Sequence, residues 1–275
     1  MISRFRFVRR ASAALAACVV AAPIAAAQQR PDTAAHQSVL TRSDAITLAA
    51  FAVGTVALMP LDRHIAQESQ RSALQTNGGL SHTASVFRVL GAEGAIGLAG
   101  ATYLFGRADD SPKAAELGLR TLESIGVAGA TTFVIKGMVG RARPFVVADT
   151  NSREFRAGRG FSNDKYTSFP SGHTTVAFAA ASAASQEIHY LWPNASPLWS
   201  PALYTAASLV GLSRVYNDQH WASDVVAGAA VGTLAGRAVV RFQRAHPGNA
   251  IDRWLLPTSV TPEKGGVALA WSERW

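Results

Sequence analysis

Residues 168–175 read "SFPSGHTT", Ser168 to Thr175, directly ahead of an apolar, alanine-rich run long enough for a helix. Pro170 ends whatever precedes it, Ser171 and Gly172 make a turn or cap, and His173 is the first helical residue. Two uses fit this arrangement. One is structural, a helix start and nothing more. In the other, Ser171, Gly172 and His173 turn polar groups toward a bound anion, helped by the free N–H groups and positive dipole end of the helix that follows. The choice depends on what flanks the stretch in the chain.

Upstream, "KGMVGRARP" carries Lys136, Arg141, Arg143 and Pro144. Lys136 and Arg143 share one face if the helix persists over the two turns between them. Two cations on an otherwise apolar helix are costly unless paired or liganded, although a basic helix end before a proline also complements the helix dipole. Arg141 fits supplementary phosphate binding as well as it fits a snorkelling or dipole role. Downstream, "SRVYNDQHWASD" supplies Ser213, Arg214, His220 and Asp224. His220 and Asp224 have the i, i+4 spacing at which helical side chains meet. A carboxylate there accepts the Nδ1 proton and leaves Nε2 basic, the state a nucleophile needs. The same spacing also serves an ordinary helix-surface hydrogen bond.

In order, the three segments read Lys-x6-Arg-Pro, Pro-Ser-Gly-His and Ser-Arg-x5-His-x3-Asp. Together they resemble the three-part signature of the type 2 phosphatidic acid phosphatase (PAP2) family, whose superfamily also contains bacterial acid phosphatases and vanadium haloperoxidases. The match covers Lys136, Arg143, Pro144, Pro170, Ser171, Gly172, His173, Ser213, Arg214, His220 and Asp224, all within residues 136–224. The resemblance implies an all-α helical bundle and a phosphatase acting on a phosphomonoester or diphosphate through a phosphohistidine. It implies His220 as nucleophile, oriented by Asp224, and His173 as the acid that protonates the departing alkoxide and then activates water. Lys136, Arg143, Arg214, Ser171 and Gly172 are implied as the phosphate cage, the arginines offering paired donors matched to phosphate. No histidine cluster has metal-ligand spacing, so no metal and no other cofactor is expected. His64, His82, His189 and His246 lie outside the signature and read as surface or hydrogen-bonded residues.

The chain opens with "MISRFRFVRR" and a small-residue apolar run from Ala11 to Ala27, a secretory signal with cleavage after Ala27; "LAAC" at Leu15–Cys18 also resembles a bacterial lipobox. Export places the protein in the periplasm or in a bacterial inner membrane with its active site facing the periplasm. Cys18 is the single cysteine, so no disulfide forms within the chain. Four arginines of the formal +8 sit in the leader, leaving about +4 on residues 28–275, too little to argue for nucleic acid. Those residues read as one PAP2-type phosphatase domain.

Helices are expected over 45–59, stopped by Pro60, and over 84–105, 112–140 (with Ser111 as N-cap), 173–190, 201–213 and 222–244. Loops are expected over 61–79 and 145–169, and a polar arm over 28–41. "WLLPTSV" and "GGVALAW" predict a short C-terminal β-hairpin around "TPEKG". The apolar segments fit either the buried helices of a soluble bundle or tilted spans of a membrane enzyme, several being shorter than the ~20 residues a span needs. A phosphorylated lipid is the favoured substrate. The alternatives are a soluble periplasmic acid phosphatase on small phosphomonoesters, a vanadium haloperoxidase-like enzyme, and a non-catalytic membrane binding protein.

Overall fold

The computed structural model describes residues 39–256, 259–263 and 266–270. The expected leader and most of the polar arm lie outside them. Helix α1, Arg42–Leu58, starts with a capping box in which Thr41 Oγ1 accepts from the Asp44 N–H and Asp44 accepts from the Thr41 N–H. Pro60 does not stop it. The proline sits inside a 3₁₀ turn, Met59–Leu61, at an early position where its missing N–H is not needed, and the chain re-enters helix as α2, Asp62–Ser69. Arg42–Ser69 is thereby a rod of 28 residues.

The segment 61–79, expected as a loop, is therefore largely helical: α2 is followed by α3, Ser72–Gln75, and by α4, Gly78–Gly91, capped by Asn77. The helix expected over 84–105 is broken at Ala92, where α4 and α5, Glu93–Ala108, meet at a 49° bend. Helix α6, Pro112–Val139, has Pro112 in its first turn, but Ser111 makes no side-chain capping bond. It ends at Gly140 in the left-handed region, φ +60°, where a Cβ would lie 1.8 Å from the Arg156 carbonyl oxygen. Only glycine fits there, and this contact seats the 145–169 connection on the end of α6. That connection holds three 3₁₀ turns and a β-bridge between Arg141 and Phe155.

Helices α7, Gly172–Leu191, α8, Ser196–Tyr216, and α9, Ala222–Ala245, complete the bundle, α8 running longer than expected with Pro201 inside it. A short α10, Ala250–Leu255, takes up Trp254 and Leu255 of the expected first strand. The hairpin follows as β1, Ser259–Glu263, and β2, Gly266–Ala270, paired antiparallel from Ser259 with Ala270 to Glu263 with Gly266.

A close helix contact decides where the site lies. Gly228, Gly232 and Gly236, four apart on α9, press against the backbone of α7: an added Cβ would lie 2.6 Å from Ser171 O, 2.3 Å from Thr175 O and 2.7 Å from Ser182 Cβ, respectively. Small residues at this spacing let helices touch backbone to backbone. The contacts pair low numbers with low and high with high, so α7 and α9 run parallel and their N-termini emerge side by side. Phe51 of α1, Phe178 of α7, Tyr204 and Val210 of α8 and Val226 of α9 fill the core beside this seam.

The outer surface is apolar. Val53, Leu98 and Phe133 are 69%, 70% and 65% exposed. Among the described residues three helices are long and apolar enough to cross a membrane, the Arg42–Ser69 rod, α6 and α9, or four if α4 and α5 form one broken span. The protein associates with a membrane, and the exposed apolar side chains of these helices suit contact with lipid.

Candidate active site

Asp224, in the first turn of α9, organises the end of the bundle where α7 and α9 begin. Its Oδ2 accepts from the Trp221 N–H at 2.9 Å and from Ser168 Oγ at 2.5 Å, and its Oδ1 accepts from Arg141 Nη1 at 2.5 Å. The Asp224 carbonyl accepts from the Ser171 N–H at 3.0 Å, tying the α7 start to α9. His220 does not bond this carboxylate as the i, i+4 spacing predicts; its Nδ1 lies 3.9 Å from Asp224 Oδ2. The reason is that Trp221 breaks the register: its extended backbone separates His220 from the helix, and helical neighbour geometry does not apply.

Nδ1 of His220 instead meets the Ser168 carbonyl at 2.7 Å. A carbonyl only accepts, so Nδ1 carries the proton and Nε2 keeps its lone pair. Asp224 thus acts on His220 through Ser168, whose hydroxyl it holds while the same residue's carbonyl holds the imidazole. Burial first, and then the fields of Lys136, Arg143 and Arg214, push the His220 imidazole well below its ordinary range, which keeps it neutral.

Arg141 binds structure rather than a ligand. It is 1% exposed, its Nη2 donates to Asp62 Oδ2 at 2.7 Å and to the Ser152 carbonyl at 2.6 Å, and its guanidinium lies between the Phe155 and Trp221 rings. Asp62 also accepts from the Ser223 N–H at 2.9 Å. The chain of Asp62, Arg141, Asp224 and Ser168 fastens α2, the 141–152 segment and α9 into one buried frame behind His220. Asp62 fell in the segment read as a loop, and nothing in its neighbourhood along the chain marks it.

The cations converge from three elements. Lys136, in the last turn of α6, donates to the Thr167 carbonyl, and Arg143 Nη2 donates to Thr167 Oγ1 at 3.0 Å. The two meet at Thr167 and not along a helix face, because α6 stops at Val139. Arg143 also donates to Gln219 Oε1 at 3.0 Å and reaches Asp164 at 3.3 Å. A Cβ on Gly172 would sit 3.5 Å from Lys136 Cε, so the lysine lies over the α7 N-terminus. The Ser171 hydroxyl is buried and accepts from Thr174 Oγ1 at 2.8 Å, which leaves it a proton to donate. Arg214, on α8, is buried, and its Nε and Nη1 have no hydrogen-bond partner among the described residues. Lys136, Arg143 and Arg214 all lie within electrostatic reach of both His173 and His220.

One neighbour was not legible: Glu93, at the α4–α5 bend, brings Oε2 to 3.9 Å from His173 Nε2. The sequence places no acidic residue near His173. Only the bend does.

The PAP2 superfamily model matches residues 117–247. Among curated proteins the chain is 52% identical to the lipid A 1-phosphatase of Porphyromonas gingivalis over 69 residues, 25% of this chain and 15% of that one. It is 31% identical to the lipid A 1-phosphatase of Rhizobium etli over 156 residues, 53% of this chain and 62% of that one. The chain thus spans less than two thirds of either relative's length. Among solved structures, the crystal structure of the first transmembrane PAP2 type phosphatidylglycerolphosphate phosphatase, from Bacillus subtilis, shares the fold, with a TM-score of 0.54 at 22% identity over 74% of this chain and 98% of that one. With the signature residues gathered about the paired starts of α7 and α9, the helical core of this chain, residues 117–247, matches the PAP2 superfamily in sequence and shares the fold of a PAP2-type phosphatase.

Proposed function

We propose that this protein is a metal-independent phosphatase that removes a phosphate from a phosphorylated lipid through a phosphohistidine at His220. The observation that carries the reading is Arg214: a buried guanidinium with two nitrogens unpartnered among the described residues, beside two further cations and a neutral imidazole. Such a cluster is costly unless an anion completes it. In the first step His220 Nε2 attacks phosphorus, the bond to the leaving oxygen breaks, and His173 gives that oxygen its proton. In the second, His173 takes a proton from water, the hydroxide attacks phosphorus, and the P–N bond electrons return to His220 as phosphate departs. Lys136, Arg143, Arg214, Ser171 and the Gly172 N–H hold the equatorial oxygens, whose charge is spread in the transition state.

The apolar outer surface and the two relatives named lipid A 1-phosphatase support a lipid substrate, and lipid A 1-phosphate is the first to test. The leader supports a site facing the periplasm. Purified protein should release phosphate from lipid substrates in detergent without added metal, lose that activity to vanadate, and be indifferent to chelators; vanadate-dependent halide oxidation would reverse the reading. Labelling of a cysteine placed in the 145–169 connection by an impermeant reagent should succeed in intact spheroplasts, and labelling only after lysis would refute the orientation.

A further inference from the structure

A cavity of about 720 Å³ lies among α4, α5, α6, α7 and α8, and its wall is almost wholly apolar. Helix α7 gives it one stripe, Ala177, Ala180, Ala181, Ala184 and Ile188, which runs about 16 Å at 1.5 Å per residue, and Trp192 follows just past the helix end. Two hydroxyls in the wall are spent on their own helices: Thr102 Oγ1 donates to Leu98 O at 2.8 Å and Thr121 Oγ1 to Leu117 O at 2.7 Å, so both present methyl groups. Protein interiors seldom keep voids larger than a water molecule, and this wall offers water no partners. An elongated apolar occupant fits.

One end of the cavity borders the candidate site. A Cβ on Gly91 would lie 2.8 Å from Val210 Cγ1 and 3.3 Å from His173 Cδ2, and Val210, Leu90 and Gly94 line the cavity. That end of the cavity therefore lies one packed residue, Gly91, away from His173, the group assigned to the leaving oxygen. Leu90 and Leu98 on its rim are exposed, which opens it to the lipid side. We propose that this cavity seats a hydrocarbon chain of the substrate's leaving group and so makes the enzyme select its substrates by chain length. The inference rests on the phosphatase reading above, because His173 is what ties the cavity to the leaving group.

The test uses the full protein in amphipol with monoalkyl phosphates from butyl to tetradecyl, each below its micellar concentration, and phenyl phosphate as the chainless reference. In the wild type kcat/KM should rise about two- to fourfold per buried methylene until the cavity is filled. The rise should end at a shorter chain in Ala180→Phe than in Ile188→Trp, while phenyl phosphate turnover stays within about twofold of wild type, since neither residue touches the phosphate cage. Equal loss on phenyl and alkyl phosphates in variants that keep the wild-type melting temperature would make the stripe merely structural. An unchanged chain-length profile would assign the cavity to bulk lipid. Both overturn the proposal. A second measurement needs no turnover: an alkyl phosphonate with a diazirine at its tail should label wild-type α7 between Ala177 and Ile188, in competition with tetradecyl phosphate. Labelling elsewhere, or labelling that the phosphate does not reduce, overturns the proposal, whereas a wild type inert to every phosphate but labelled in the cavity would sink the phosphatase reading instead.

Discussion

Arginines are buried at both ends of this bundle, and the two ends treat them oppositely. Away from the site, Arg237 and Arg241 of α9 share Asp44 of α1, Arg244 meets the buried Glu187 of α7, and Arg120 of α6 lies between Glu123 and Asp252. Each cation has a carboxylate. Near the site, Arg141 obeys the same rule with Asp62 and Asp224, but Arg214 has no carboxylate within ion-pairing distance among the described residues. A buried ion pair adds little net stability, yet breaking one leaves an uncompensated charge that is very costly. The difference separates the two ends: each far-end arginine is matched by a carboxylate of the chain, whereas the near end holds a buried arginine that none matches, the arrangement the proposed phosphate site requires.

The largest effect that would sharpen this contrast is at His220. His220→Ala should show no turnover and no acid-labile phosphoenzyme on an aryl or an alkyl phosphate; acid-quench trapping that still finds phosphoenzyme would remove His220 from its role. At the far end, Asp44→Ala should cost about 3–5 kcal/mol of stability by stranding Arg237, with kcat per folded molecule unchanged. Denaturation in detergent alongside the assay checks it, and a matching loss of kcat would show the two ends to be coupled.

Arg214→Lys should behave in the reverse manner. Its melting temperature should hold while kcat falls by about 2–4 kcal/mol in barrier terms, because a point charge does not reproduce the guanidinium's donors. Near-wild-type kcat would break the comparison outright. Ser168→Ala removes a short bond to Asp224 but keeps the carbonyl that orients His220, so kcat should drop by a lesser amount, about 1.5–3 kcal/mol. A drop as deep as that of His220→Ala would mean that the hydroxyl does more than hold the frame.

The smallest effect is a shift in pH dependence. In the proposed mechanism His220 works unprotonated, and burial, with the nearby cations added to it, holds its proton affinity down, so the acid limb of kcat/KM should lie low. Arg143→Gln removes one of those cations, raises the imidazole's pKa and should move the limb upward by about one unit. A limb that stays in place would show that the Arg143 field does not reach the imidazole.

Much of this was readable along the chain. The proline, serine and glycine ahead of His173 mark a helix start, and the types and order of Lys136, Arg143, Arg214 and His220 mark a candidate anion site. Local chemistry decides such features, since caps, turns and spacings involve residues within a turn or two of one another. Where local rules were pushed past the end of a helix they failed, as with Lys136 and Arg143 across Gly140 and with His220 and Asp224 across Trp221.

The sequence by itself determined which groups carry charge and where α7 and α9 begin. The tertiary structure alone decided which partner each group takes. His220 is oriented by the backbone carbonyl of a residue 52 positions away, and every residue has such a carbonyl, so no side-chain pattern singles out Ser168. Arg141 finds Asp62 across 79 positions because Pro60 lets the first helix continue instead of ending it. Glu93 reaches His173 only because the chain bends at Ala92. These pairings are chosen by low-dielectric packing, where a buried charge must be matched by whatever the fold brings to it, and that choice is made in space rather than along the chain.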